Sequence, residues 1–289
     1  MSTLTPVAGA APALTRLRAG LRTLDPGTVL CAAVVAFFAV AALRPGLLAP
    51  GDPLKIDLTG TLRAPSWEHP LGTDQSGRDL YTRIIHGARQ SLLIGLGATA
   101  LAMAAAVVLG FLAGLGGRLA DQVIGRLLEV AFAFPVLLLS LLLVTVWGPS
   151  PATLVLAVGI GSAPGYARMV RGQVLAIGQE GYVEAAHALG HGTWRVIRQH
   201  VFPNAMRPLL AVFTLGVGQS IVWASGLAFL GMGVAPPSPE WGALLDAGRM
   251  YITTAWWVEL MPGLAIVGVA LAVTSLGRTI QRRLEGARP

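Results

Sequence analysis

Six stretches of this chain run for sixteen residues or more without a charged side chain, and that feature constrains the fold more than any other. Thr28 to Leu43, Ser91 to Gly117, Val130 to Trp147 and Ala152 to Ala167 are apolar throughout. Two further runs, Pro208 to Gly233 and Leu260 to Gly277, complete the set. A bilayer core about 30 Å thick takes roughly 20 apolar residues of helix, because only a helix satisfies its own backbone in lipid. The runs therefore predict an all-α, polytopic membrane protein with six transmembrane helices. Only 12% of the residues are charged, against about 25% for a soluble domain. The net charge of +7 would point to nucleic acid in a soluble protein. In a membrane protein it is accounted for by the excess of Arg and Lys in cytoplasmic loops, so no nucleic-acid partner is expected. The lone cysteine, Cys31, excludes an intrachain disulfide and a cysteine-based metal cluster.

Between the fourth and fifth runs lies a polar island, Glu180 to Asn204. Its first half reads as a short helix with Tyr182, Ala186 and Leu189 on one face and Glu180, Glu184 and His187 on the other. Gly190 and Gly192 break that helix, glycine tolerating the backbone of a sharp turn. Thr193 is placed to cap a second helix striped by Trp194, Ile197 and Val201, and Pro203 to stop it. Two short amphipathic helices on a glycine elbow read as a docking handle outside the membrane.

The spacing Glu184-Ala185-Ala186, three residues, Gly190, then Pro203 resembles the EAA signature of the membrane-spanning permease subunits of ATP-binding-cassette importers. Where the general signature expects an Ile and a Leu, this chain has His200 and Phe202, an ending similar to that of the dipeptide, oligopeptide and nickel group. Two other segments are similar to the same group: His69-Pro70-Leu71-Gly72-Thr73-Asp74 with Gly77-Arg78-Asp79, and Pro236-Pro237-Ser238-Pro239-Glu240-Trp241-Gly242.

The resemblance implies a type I importer permease fold and a mechanical role. A separate ATPase pair, which binds ATP and magnesium, would carry the island by Glu184, with Ala185 and Ala186 keeping that face small and Gly190 making the elbow. A second homologous permease, two ATPase subunits and an external solute-binding protein are the implied partners, with lipid around the spans. Gly72, Asp74, Arg78, Asp79, Pro237, Glu240 and Trp241 become candidate contacts for the binding protein. Di- or oligopeptides are the implied cargo; nickel or a metal chelate is the alternative.

This reading divides the chain into a cytoplasmic tail (1–24), a first span (25–47), an external segment (48–89), a five-helix core (90–283) and a C-terminal tail (284–289). The core carries the coupling loop, 171–207. With both termini inside a bacterial inner membrane, fourteen basic residues fall on the cytoplasmic side and seven outside. Within the spans, Gln219, Ser220 and Ser225 read either as lining of the pathway or as glue between helices. Glu129, three residues after Arg126, reads as an interfacial ion pair, and Pro135 as a kink in the third span.

No phosphate-cradling Gly-x-x-x-x-Gly-Lys-Ser/Thr loop is present, so this chain is not expected to hydrolyse ATP, and no cofactor of its own is expected. His69 with Asp74 supplies too few ligands for a metal, and Thr73 or Asp74 instead reads as a helix cap. A zinc site from His187, His191 and His200 is disfavoured by the two glycines among them. An ion-driven secondary carrier would need buried carboxylates or broken helices at mid-membrane, and apart from Glu129 near one mouth the spans hold no carboxylate.

Overall fold

The computed structural model describes residues 25–286, so the tail at 1–24 and the last three residues lie outside it. The described chain is helical apart from loops, with one isolated bridge between Thr73 and Asp79. Helix α1, Pro26–Leu43, starts on a proline, whose missing N–H costs nothing in a first turn. It leaves most of its apolar surface exposed, as suits a helix facing lipid. Residues 44 to 79 fold into a lobe of turns, and α2, Leu80–Leu115, leaves it as a single helix of 36 residues. At 1.5 Å per residue it is about 54 Å long, so it stands well clear of any bilayer core. It is capped by Asp79, whose Oδ2 accepts from the Thr82 amide at 2.8 Å and hydroxyl at 2.6 Å, and not by Thr73 or Asp74.

The third run breaks at Pro135, as expected, but far more sharply than a kink. Helix α3, Gly117–Phe132, and helix α4, Val136–Trp147, meet at 87°. Pro135 lacks an N–H and disfavours helical backbone at Phe134, so the chain turns a corner there. Twelve residues of α4 cover about 18 Å, too little to cross alone. Counted as one broken span, the pair brings the total to six beside the five long apolar helices. The remaining helices are α5, Pro151–Gly178; α6, Gly181–Ala188; α7, Thr193–Met232; α8, Trp241–Gly248; and α9, Trp257–Gly286.

The bundle is organised on the seam between α2 and α5. Ala98, Ala102 and Ala106 of α2, and Ala157, Ala167 and Val170 of α5, are fully buried. Small side chains at helical spacing let two backbones approach, which is how helices associate in lipid without a hydrophobic driving force. Two cores flank this seam at opposite ends. One gathers Leu80, Ile85, Ile221, Trp241 and Trp257 beneath the lobe. The other gathers Met103, Ala106, Leu128, Val170 and Val174 beneath the island.

Candidate coupling site and the opposite lobe

Helix α6 stands on two small buried residues, Val183 and Ala186, while Tyr182 and Leu189 are exposed. The burying face is therefore one position away from the stripe expected of the bulkier side chains. Its end is a Schellman turn: the His191 amide donates to the Ala186 carbonyl at 3.1 Å and the Gly190 amide to the His187 carbonyl at 2.9 Å. Gly190 has φ +82°, and a Cβ there would meet nothing within 4 Å. Backbone conformation alone, not crowding, asks for glycine. Glu184 and Ala185 lie on the exposed face, and among the described residues Glu184 makes no ion pair.

The second island helix begins at Thr193, with Gly192 and not Thr193 at its cap. Pro203 does not stop it. The segment Ile197–Val201 widens into a π turn, and the helix continues as α7 through Pro203 and Pro208 to the far side of the bundle. A wide turn removes the clash between a proline ring and the preceding carbonyls, so the proline is absorbed. Asn204 Nδ2 donates to the freed His200 carbonyl at 2.7 Å. Val196 and Val201 face the core, whereas Trp194 is 73% exposed. The island is thereby fused directly to the α7 span. Just before it, Arg171 of α5 grips Asp121 of α3 with two hydrogen bonds, at 2.5 and 2.8 Å. Arg126 pairs with Glu129 at 3.1 Å on the surface, as their spacing predicts.

The lobe at the other end is built inward. Asp74 is 1% exposed and accepts from Arg78 Nε at 2.7 Å, from Arg83, and from the amides of Ser76 and Arg78. Arg83 continues across to the Pro237 and Ser238 carbonyls at 3.0 and 3.2 Å. Glu240, also buried, caps α8 by accepting from the Gly242 and Ala243 amides and from the Ser91 hydroxyl. Burial pushes its carboxyl above the ordinary 4.5, outweighing those three donors, which pull it down. Trp241, fully buried, donates Nε1–H to the Ile84 carbonyl and meets Phe38 edge-on at 5.2 Å. A side chain on Gly87 would strike the Pro239 carbonyl at 1.9 Å, so the loop lies directly on α2.

Asp74, Arg78, Glu240 and Trp241, expected as contacts for a binding protein, are thus enclosed; they assemble the lobe and do not present a surface. Gly72 is enclosed as well, under Trp257. Asp79 is half-buried against His69 at 3.0 Å, and Pro237 alone of the seven is exposed. Arg83 and Ser91 were not among the expected site residues. Arg83 left one signal, a cation one turn into an apolar helix; Ser91 left none.

The three polar residues of the fifth run separate. Ser220 accepts from the Thr99 hydroxyl at 2.9 Å, between helices, and Ser225 is buried where Gly242 of α8 packs on its Cα. Gln219 is exposed and lines a cavity of about 560 Å³ with Phe132, Pro135, Tyr166 and Trp223. Among the described residues no cluster of three metal-ligating side chains occurs, so His187, His191 and His200 are not gathered.

Residues 106–286, which hold the island, the corner and α7 to α9, match the family model described as binding-protein-dependent transport system inner membrane component. The chain belongs to this family. It is 41% identical over 244 residues to a di/tripeptide transport system permease protein DppC of Pseudomonas aeruginosa, covering 82% of this chain and 80% of that one. A probable D,D-dipeptide transport system permease protein DdpC of Escherichia coli is 37% identical, with 90% and 88% covered. A glutathione transport system permease protein GsiD of Pectobacterium atrosepticum is 39% identical, with 76% and 73% covered. Among solved structures, an amino acid ABC transporter and the MetNI methionine ABC transporter share the fold at 17% identity. Each has a TM-score of 0.58, covers 70% of this chain, and is itself covered to 94% and 96% respectively. The chain is a multi-pass inner-membrane permease of an ABC transporter complex.

Proposed function

We propose that the chain forms half of the translocation pathway of an ATP-driven importer for di- and oligopeptides. In this reading, α6 and its glycine elbow lie at the cytoplasmic surface and seat in a groove of a separate ATPase. The termini are cytoplasmic, the lobe is external, a second permease supplies the other half, and a binding protein delivers cargo. ATP and magnesium bind to the two ATPases. The observation that carries the proposal is how the island is attached. Its buried face, Val183, Ala186, Val196 and Val201, packs into one core with α2, α3 and α5. Its exposed face offers Glu184 with no ion-pair partner among the described residues, and its second helix is the start of α7. A push on α6 is therefore passed to the spans through that shared core. The di/tripeptide, D,D-dipeptide and glutathione permeases among the relatives support a peptide cargo.

The test is reconstitution. Proteoliposomes holding this chain with its partner permease, ATPases and binding protein should accumulate labelled dipeptide only when ATP is supplied to the ATPases. Accumulation by the two permeases alone would refute the proposal.

A further inference from the structure

At the island end, a second cavity of about 840 Å³ lies beside the one that Gln219 lines. Three cations and two anions face it: Arg126, Arg168 and Arg171 against Asp121 and Glu129. Both anions are engaged, Asp121 by Arg171 and Glu129 by Arg126. Arg168 is left with no carboxylate among the described residues. Its guanidinium rests instead on the Phe132 ring, 4.5 Å from the centroid. Phe132 lines the neighbouring cavity with Phe134, Tyr166, Trp223 and Gln219. The cation–π pair therefore stands where an aromatic chamber gives way to a polar one. Arg168 lies about 26 Å along α5 from Pro151, close to where a bilayer core would end.

We propose that Arg168 receives the free C-terminal carboxylate of a peptide leaving the aromatic chamber, and so sets a preference for unblocked peptides. The inference rests on the transport reading above and names the group that the pathway recognises. A guanidinium resting over an aromatic ring still has N–H donors to offer, and its fork matches a carboxylate with two parallel hydrogen bonds. The chamber before it is apolar and aromatic, which suits side chains of varied shape and leaves the terminus as the common feature to read. A lipid phosphate offers the same chemistry and is the competing source of the anion.

The test uses the purified complex of both permeases with their ATPases in nanodiscs, without binding protein, titrated with a dipeptide and its C-terminal amide. The wild-type complex should bind the acid about tenfold more tightly than the amide, the scale of one charge-assisted pair. Arg168→Gln should equalise the two, leaving amide binding and melting temperature unchanged, and Arg168→Lys should keep part of the preference. Equal affinities in the wild type, no saturable binding, or a preference unchanged in R168Q would overturn the proposal. So would an effect of R168Q that appears only in discs containing anionic lipid, because the guanidinium would then serve a headgroup. A wild-type complex that moves no peptide in liposomes would refute the transport reading instead. Transport with an unaltered acid preference in R168Q would refute this inference alone.

Discussion

The two ends of the molecule use polar residues in opposite ways. In the lobe, Asp74, Arg78, Arg83 and Glu240 are buried and each has a partner: Asp74 bonds the two arginines, Arg83 reaches on to the Pro237–Ser238 loop, and Glu240 caps a helix. In the island they point outward and Glu184 is paired with nothing among the described residues. The lobe is a clasp that holds 44–79, α2 and α8 together. The island is a rigid handle, fixed to the bundle by small apolar residues and free on its far face.

Substitutions should sort by end. The largest effect is expected from Asp74→Ala, which would leave two buried guanidinium groups without their carboxylate; removing one partner of a buried pair costs about 3–5 kcal/mol. The variant should lose melting temperature and membrane yield whether or not ATPases are present, and an unchanged melting curve would break the contrast between the ends. Trp241→Ala should approach it, at about 3–5 kcal/mol for a buried aromatic.

Smaller effects sharpen the comparison. Gly190→Ala keeps all contacts but puts a side chain on φ +82°, at a cost of about 1–2 kcal/mol. Gly190→Asn, better tolerated in that conformation, should fall below it in the same melting assay. The lobe should also show a pH dependence. Glu240 titrates above its ordinary value when folded, so folding takes up a proton between the two values. That increment of stability is complete below the ordinary 4.5 and is lost as the pH rises through the raised value. Tryptophan-monitored melting across that range should decline for the wild type and flatten for Glu240→Gln.

Five long apolar helices, and a sixth if the broken pair is counted as one span, were legible because lipid leaves the backbone of a long apolar run no other choice. The island was legible by its polarity and by Gly190, whose φ no other residue adopts as cheaply. Its register was not. Of the expected stripes, Ala186 and Val201 are buried, but the bulkier Tyr182, Leu189 and Trp194 are exposed, and Val183 and Val196 take their place in the core beside α5. Pro203 and Pro135 are alike in sequence, yet a π turn absorbs one and the chain corners at the other. The clasp was hidden as well: loop carboxylates default to solvent, and the residues that enclose them, such as Arg83 with Pro237 and Ser91 with Glu240, lie about 150 positions apart.

The central claim is that the outward face of α6 transmits force and does not support the fold. The most direct measurement is ATP-driven dipeptide uptake by the reconstituted complex carrying Glu184→Lys, with melting temperature followed in the same preparation. A surface change of this kind should move stability by no more than about 0.5 kcal/mol. The account predicts an inserted, normally stable permease that no longer accumulates peptide. Uptake at the wild-type rate would contradict it, as would a loss of uptake that follows a matching loss of stability.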